Sequence, residues 1–168
     1  RYRVLAEYFE RSEVMLRTTL ELLHMLEMGG EREKLERVLS QIERFSELWM
    51  MEEHEVLRLW SLAELAQVVG AYRSGLGQWE QQERSRTERL EVFASVAALY
   101  KGVGAWREAG EVERRCLAIM REAGDRGAEG AALARLAGLA LRLGRMEEAE
   151  RLARESEEIA RELDDRRG

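Results

Sequence analysis

The chain has 168 residues, 45% of them hydrophobic and 36% charged, with no proline and a formal net charge of −6. That length fits one ordinary domain or a stretch of a longer array, and the acidic balance argues against a nucleic-acid partner, which needs a clustered basic face. No apolar run reaches the ~18 residues a membrane span requires, and Cys116, the single cysteine, excludes an intrachain disulfide and suits a reducing, cytoplasmic compartment.

Abundant Leu, Ala, Glu and Arg favour helix, because these residues propagate it at little entropic cost. From about Arg3 to Met28 an apolar pattern places Leu16, Leu20, Leu23 and Leu26 on one face, and Gly29-Gly30 ends it. From Glu31 the spacing Leu35, Val38, Leu39, Ile42, Phe45 follows the helical period over three turns, completing a hairpin. Glu52-Glu53-His54-Glu55 reads as a short connection. The residues from Val56 to Tyr72 read as a helix enclosed by neighbours, being apolar around most of its circumference. Gly70, Gly75 and Gly77 leave three readings open: a helix contact, a kink or a turn. Helices are then predicted from Ser85 or Arg86 to about Gly102–Gly104, Trp106 to Arg121, Ala128 to Leu143, and Met146 to Leu163. Asp125 is placed to cap the third of these.

Those last four form a repeat. Aligned forty residues apart, Glu91–Arg126 and Ala131–Arg166 share about a dozen identities, among them Ala94/Ala134, Leu99/Leu139, Gly104/Gly144 and Ile119/Ile159. A helical pair of this kind cannot bury its apolar side alone and must stack on its neighbours. The expected fold is an all-α, right-handed solenoid of antiparallel helical hairpins with about seven or eight helices. An irregular hairpin region would span residues 1–84 and two repeats residues 85–168. The chain reads as a fragment of a longer protein.

Gly104-Ala105-Trp106-Arg107-Glu108-Ala109 and Gly144-Arg145-Met146-Glu147-Glu148-Ala149 resemble the tetratricopeptide repeat. The period and the Asp-Arg turn are similar to its longer version in kinesin light chains and signalling NTPases. The missing closing proline fits that subtype. Tyr2-Arg3-Val4-Leu5-Ala6-Glu7-Tyr8-Phe9 resembles the segment closing the winged-helix part of NACHT-type (STAND) NTPases. The following hairpin and aromatic segment, Phe45-Ser46-Glu47-Leu48-Trp49, keep the order of nephrocystin-like members. The resemblance implies the repeat arm of a signalling NTPase. The nucleotide-binding machinery itself is not in this sequence, since no Gly-x-x-x-x-Gly-Lys-Ser/Thr run occurs.

No constellation for catalysis stands out. Cys116 lies mid-helix opposite Ser156 of the second copy, as a packing residue would. His24, expected partly buried, and His54, expected at the surface, are too far apart in sequence to suggest a ligand set, and no metal or cofactor is expected. Glu155, Glu157 and Glu158 read as solvated charge along a helix. Partner recognition remains: a protein or peptide, or self-association, with no nucleic acid or membrane. The resemblance puts the first helices along a concave groove, which nominates Glu91, Ser95, Lys101, Arg135 and Arg142, with the three cations suited to an acidic partner. Trp79, followed by the polar run Glu80–Arg84, is the aromatic expected to be exposed and a candidate interface anchor.

Overall fold

A computed structural model of the chain describes residues 16–61 and 63–165. The segment Tyr2–Phe9, with its winged-helix resemblance, lies outside them, as do Leu62 and the Arg166 end of the second repeat. The described residues are all-helical, with eight helices and no strand. They are α1 (16–28), α2 (Arg32–Leu39), α3 (Ile42–Trp60), α4 (Leu65–Trp79), α5 (Arg86–Gly102), α6 (Trp106–Glu122), α7 (Arg126–Arg142) and α8 (Met146–Asp165). The chain divides into two compact units, one ending at Glu83 and the other starting at Arg84.

In the first unit, α1 closes where Gly30 adopts a left-handed φ of +69° and lets Glu31 N–H reach back to the Leu26 carbonyl at 2.9 Å. The periodic run from Glu31 is two helices rather than one, because the chain breaks at Ser40-Gln41. Leu35, Leu39, Ile42 and Phe45 are all buried, so the break keeps the apolar residues facing inward. Tyr72 of α4 secures this junction. Its hydroxyl donates to the Leu39 carbonyl at 2.9 Å and accepts from Trp60 Nε1 at 3.2 Å. Phe45 meets the Tyr72 ring edge-on at 4.6 Å between centroids and lies 5.7 Å from Trp49. Edge-to-face contacts of this kind add to the burial of large rings.

The expected connection at Glu52–Glu55 is present as a kink: two helical stretches of α3 meet at Glu52, whose backbone is not helical (φ −139°, ψ 47°). One further expectation is corrected. The apolar run from Val56 does not continue to Tyr72. It stops after Trp60, and α4 starts afresh after Glu64, whose N–H donates to the Gln67 side chain at 3.0 Å. Leu65 is consequently exposed. The glycines at 70, 75 and 77 all lie within α4, and Gly75 is a contact: a Cβ there would sit 2.5 Å from the Ser40 carbonyl oxygen. Arg58 of α3 ties down the end of α1, gripping both Glu27 oxygens at 2.6 and 2.8 Å while also bonding Glu55.

In the second unit the same turn recurs three times. Gly104, Gly124 and Gly144 take φ values of +82°, +67° and +71°. After each, the next residue donates to the carbonyl five positions back: Ala105 to Tyr100, Asp125 to Met120 and Arg145 to Ala140. A left-handed residue that L side chains rarely adopt thus ends each helix, and the chain reverses at once. Ser85 caps α5 and Asp125 caps α7, accepting from Glu88 N–H at 3.2 Å and Ala128 N–H at 3.0 Å. Consecutive helices pack on one another, α5 on α6, α6 on α7 and α7 on α8. Leu133, Leu136, Leu152 and Ile159 form the core of the last pair. Gly130 lets α8 come close: the Ser156 hydroxyl donates to its carbonyl at 2.8 Å, and an added Cβ would stand 3.2 Å from Ile159.

Glycine contacts in α4 make a paired prediction. Gly75→Ala should destabilise by about 1–3 kcal/mol through overpacking against backbone, whereas Gly77→Ala, with nothing within 4 Å of the new methyl, should stabilise by up to ~1 kcal/mol through helix propensity. Urea denaturation followed by circular dichroism separates the two. Equal effects would contradict the close approach at Ser40.

Candidate partner-binding surface

The face of α5 and α7 directed away from the packing is built from small residues. Ala94, Ala131, Ala134 and Gly138 are exposed, and Ser95 and Ala98 are half-buried. They fall at helical spacing because the intervening positions, Val92, Phe93, Val96 and Ala97 in α5 and Ala132, Leu133, Leu136 and Ala137 in α7, are the buried ones. Glu91 is exposed one turn before Ser95, whose hydroxyl donates back to the Glu91 carbonyl at 3.0 Å. That local bond leaves the Glu91 carboxylate unused by Ser95.

Lys101 and Arg135 are brought together by a residue the sequence did not nominate. Glu113 of α6 is 3% exposed, and its two oxygens meet Lys101 Nζ at 3.5 Å and Arg135 Nε at 2.9 Å. A buried carboxylate is costly unless it is paired and hydrogen-bonded, so Glu113 fixes both cations and joins α5, α6 and α7. One signal was present: Glu113 stands where the second copy has Ala153, a charge in place of an apolar group. Arg142 is held differently, with its guanidinium 5.0 Å above the Trp106 ring. Lys101, Arg135 and Arg142 therefore each have a partner on a neighbouring helix, and each remains partly open to solvent.

Trp79 corrects the expectation of an exposed anchor. It is only 6% exposed, at the end of α4. The polar run after it made it look like a surface residue, but α4 ends at Trp79 itself, so the run belongs to the following turn. His24 is likewise exposed rather than partly buried, and His54 is exposed. Cys116 is 2% exposed, and burial pushes its thiol up to about 11, where little reactive thiolate forms at neutral pH. Among the described residues no group of three or more His, Cys, Asp or Glu could hold a metal ion, and no helix is long and apolar enough to cross a membrane.

A second buried acid repeats the clamp. Glu129 of α7 accepts from Arg121 Nε of α6 and from Arg126 Nη1, both at 2.8 Å. Arg121 also pairs with Glu155 of α8, and Arg126 with Glu162 at 2.6 Å. Along the same seam Arg114 of α6 meets Glu148 of α8 at 2.9 Å. Hydrogen bonds from Arg121, helped by those from Arg126, hold the Glu129 carboxyl below its usual range. The remaining surface of α8 carries the exposed pairs Glu150–Arg154 and Glu157–Arg161. Exposed pairs of this sort contribute little to stability.

No family model matches the chain, and no curated protein matches its sequence significantly.

The lowered Glu129 group sets a pH dependence. Its folded pKa lies below the unfolded value of about 4.3, so its stabilisation is complete above that value and is lost as pH falls through the folded one. Glu129→Gln should therefore flatten the decline of unfolding free energy below pH ~4, read by denaturant titration at successive pH values. An unchanged slope would mean that the clamp on Glu129 does not form.

Proposed function

We propose that the chain is a non-catalytic interaction module whose second unit binds a protein or peptide along the face of α5 and α7. The observation that carries this reading is the pair Lys101 and Arg135, held by the buried Glu113 beside an exposed floor of alanine and glycine. Small side chains let a ligand approach the helix backbones, and prefixed cations reduce the ordering cost of binding. The duplicated hairpins and their identical glycine closures support a right-handed solenoid of the tetratricopeptide type. On that reading the module is the sensor arm of a NACHT-like signalling NTPase in the cytoplasm, and ligand binding would favour one arrangement of the parent chain. No catalytic role is assigned to Cys116, whose thiol is buried and held protonated at neutral pH.

Self-association is the second reading, favoured by the exposed Met25, Met28, Met50 and Met51 of the first unit.

A photo-crosslinking amino acid placed at Gly138 or Ser95 and activated in the native host tests the first reading, with Glu157 of α8 as the control position. Adducts of defined mass at Gly138 and Ser95, weakened at least about threefold by Lys101→Gln, which leaves Glu113 paired with Arg135, are expected. Equal labelling at Glu157 would remove the α5–α7 face from consideration. Adducts at twice the chain mass, with a dimer that survives dilution in light scattering, would favour self-association.

A further inference from the structure

The seam between α6 and α8 is a ladder of ion pairs with one rung left open. Arg107, Arg114 and Arg121 follow one another at seven-residue steps on α6, about two turns each, and so share one face. Opposite them on α8 stand Glu148 and Glu155, at the same spacing, which pair with Arg114 at 2.9 Å and with Arg121. One more step back along the acidic series falls before α8, which begins at Met146, so no residue of α8 lies opposite Arg107. What reaches this end of the seam is another cation, Arg145, whose Nη1 donates to Glu148 at 3.4 Å. Arg107, Arg114, Arg145 and Glu148 surround one recess, with Gly110 and Leu139 beside them; its 10 Å³ holds about one water molecule. Arg107 is exposed and forms no ion pair among the described residues, and neither does Glu111, the acid one turn after it. Arg107 in the first turn of α6 and Arg145 just before α8 each stand at the positive end of a helix dipole. That placement costs the fold stability rather than adding to it.

We propose that the open rung binds a phosphate monoester dianion. Three guanidinium groups around one carboxylate leave an excess of two positive charges at the recess, in a chain whose net charge is −6. A phosphate monoester carries nearly two negative charges at neutral pH and three strong acceptor oxygens, whereas a carboxylate would balance only one of the cations. Arg107 keeps all its N–H donors uncommitted among the described residues, and Arg145 spends only one, on Glu148. The planar fork of a guanidinium matches two phosphoryl oxygens at once. Because the recess admits only a water, the phosphoryl group sits at its mouth and the rest of the ligand stays in solvent. The site therefore selects the phosphoryl group rather than its carrier, and a small phosphate compound and a phosphorylated side chain offer the same chemistry. It lies on the second helices of the two hairpins and does not depend on the reading of the α5–α7 face.

Backbone amide shifts of the isotopically labelled full chain, titrated with inorganic phosphate at constant ionic strength, test the proposal. Saturable shifts at Arg107, Gly110 and Arg145 are expected, with half-saturation on the order of 1 mM, and acetate should reproduce none of them. Arg107→Gln and Arg145→Gln should each weaken phosphate binding at least about fivefold. Neither strands an acid, since Glu148 keeps Arg114, and circular dichroism melts establish that both variants fold. Arg154→Gln, which alters the matching arginine of α8 in its pair with Glu150, should leave binding unchanged. The tripeptide Ala-phosphoserine-Ala separates the two sources. Binding about tenfold tighter than inorganic phosphate supports a phosphorylated side chain, and equal binding supports a small phosphate compound. Shifts that rise without saturating, that acetate matches, or that persist unchanged in Arg107→Gln overturn the proposal.

Discussion

Each helix of the second unit can cover its apolar side only if the chain doubles back at once, and that reversal depends on a left-handed residue at the end of each helix. Gly104, Gly124 and Gly144 meet this requirement at equal intervals, and the hydrogen bond that closes each turn is the same. Because the three reversals are alike, α5, α6, α7 and α8 present equivalent faces to one another. The buried positions of α5 therefore recur in α7 forty residues later. The exposed small-residue face proposed to meet a partner is what remains after that packing is satisfied.

Electrostatics adds what apolar packing leaves undetermined. Hydrophobic burial is non-directional, so it tolerates sliding between helices whose contacts are mostly alanine and leucine. Glu113 and Glu129 oppose such sliding, since each is buried and each must keep cations from neighbouring helices within reach. Displacement by one turn would strand a carboxylate in the interior, a penalty of several kcal/mol. The Arg114–Glu148 and Arg121–Glu155 pairs join α6 to α8 in the same register. The cations proposed for recognition are thereby elements of the scaffold.

The first unit relies on different means. Its helices are unequal in length, and an aromatic group of Phe45, Trp49, Trp60 and Tyr72 replaces the repeated small-residue contacts. Tyr72 is central because one hydroxyl satisfies a carbonyl at the end of α2 and an indole N–H from the end of α3. Leaving either group buried and unpaired would cost ~1–3 kcal/mol. The close fit at Gly75 arises from the same junction, where α4 crosses the break between α2 and α3.

The all-helical class, the ends of α5 to α8 and the Asp125 cap were legible from residue order alone, because period, glycine turns and capping act over a few neighbouring residues. The same local signals misled in the first unit. The run from Glu31 to Phe45 keeps helical spacing across the Ser40-Gln41 break, so periodicity could not reveal it. Trp79 looked exposed from its polar successors, which say nothing about what covers an indole. Gly75 could be a turn, a kink or a contact until Ser40 was placed against it. The site divides in the same way: sequence named Lys101 and Arg135, but only the fold joined them through Glu113, twelve and twenty-two positions away in the chain. Local propensity and spacing were thus determined by the sequence itself. Burial and ion pairing across helices were decided by tertiary structure, because each depends on atoms that are distant in the chain and meet only when it folds.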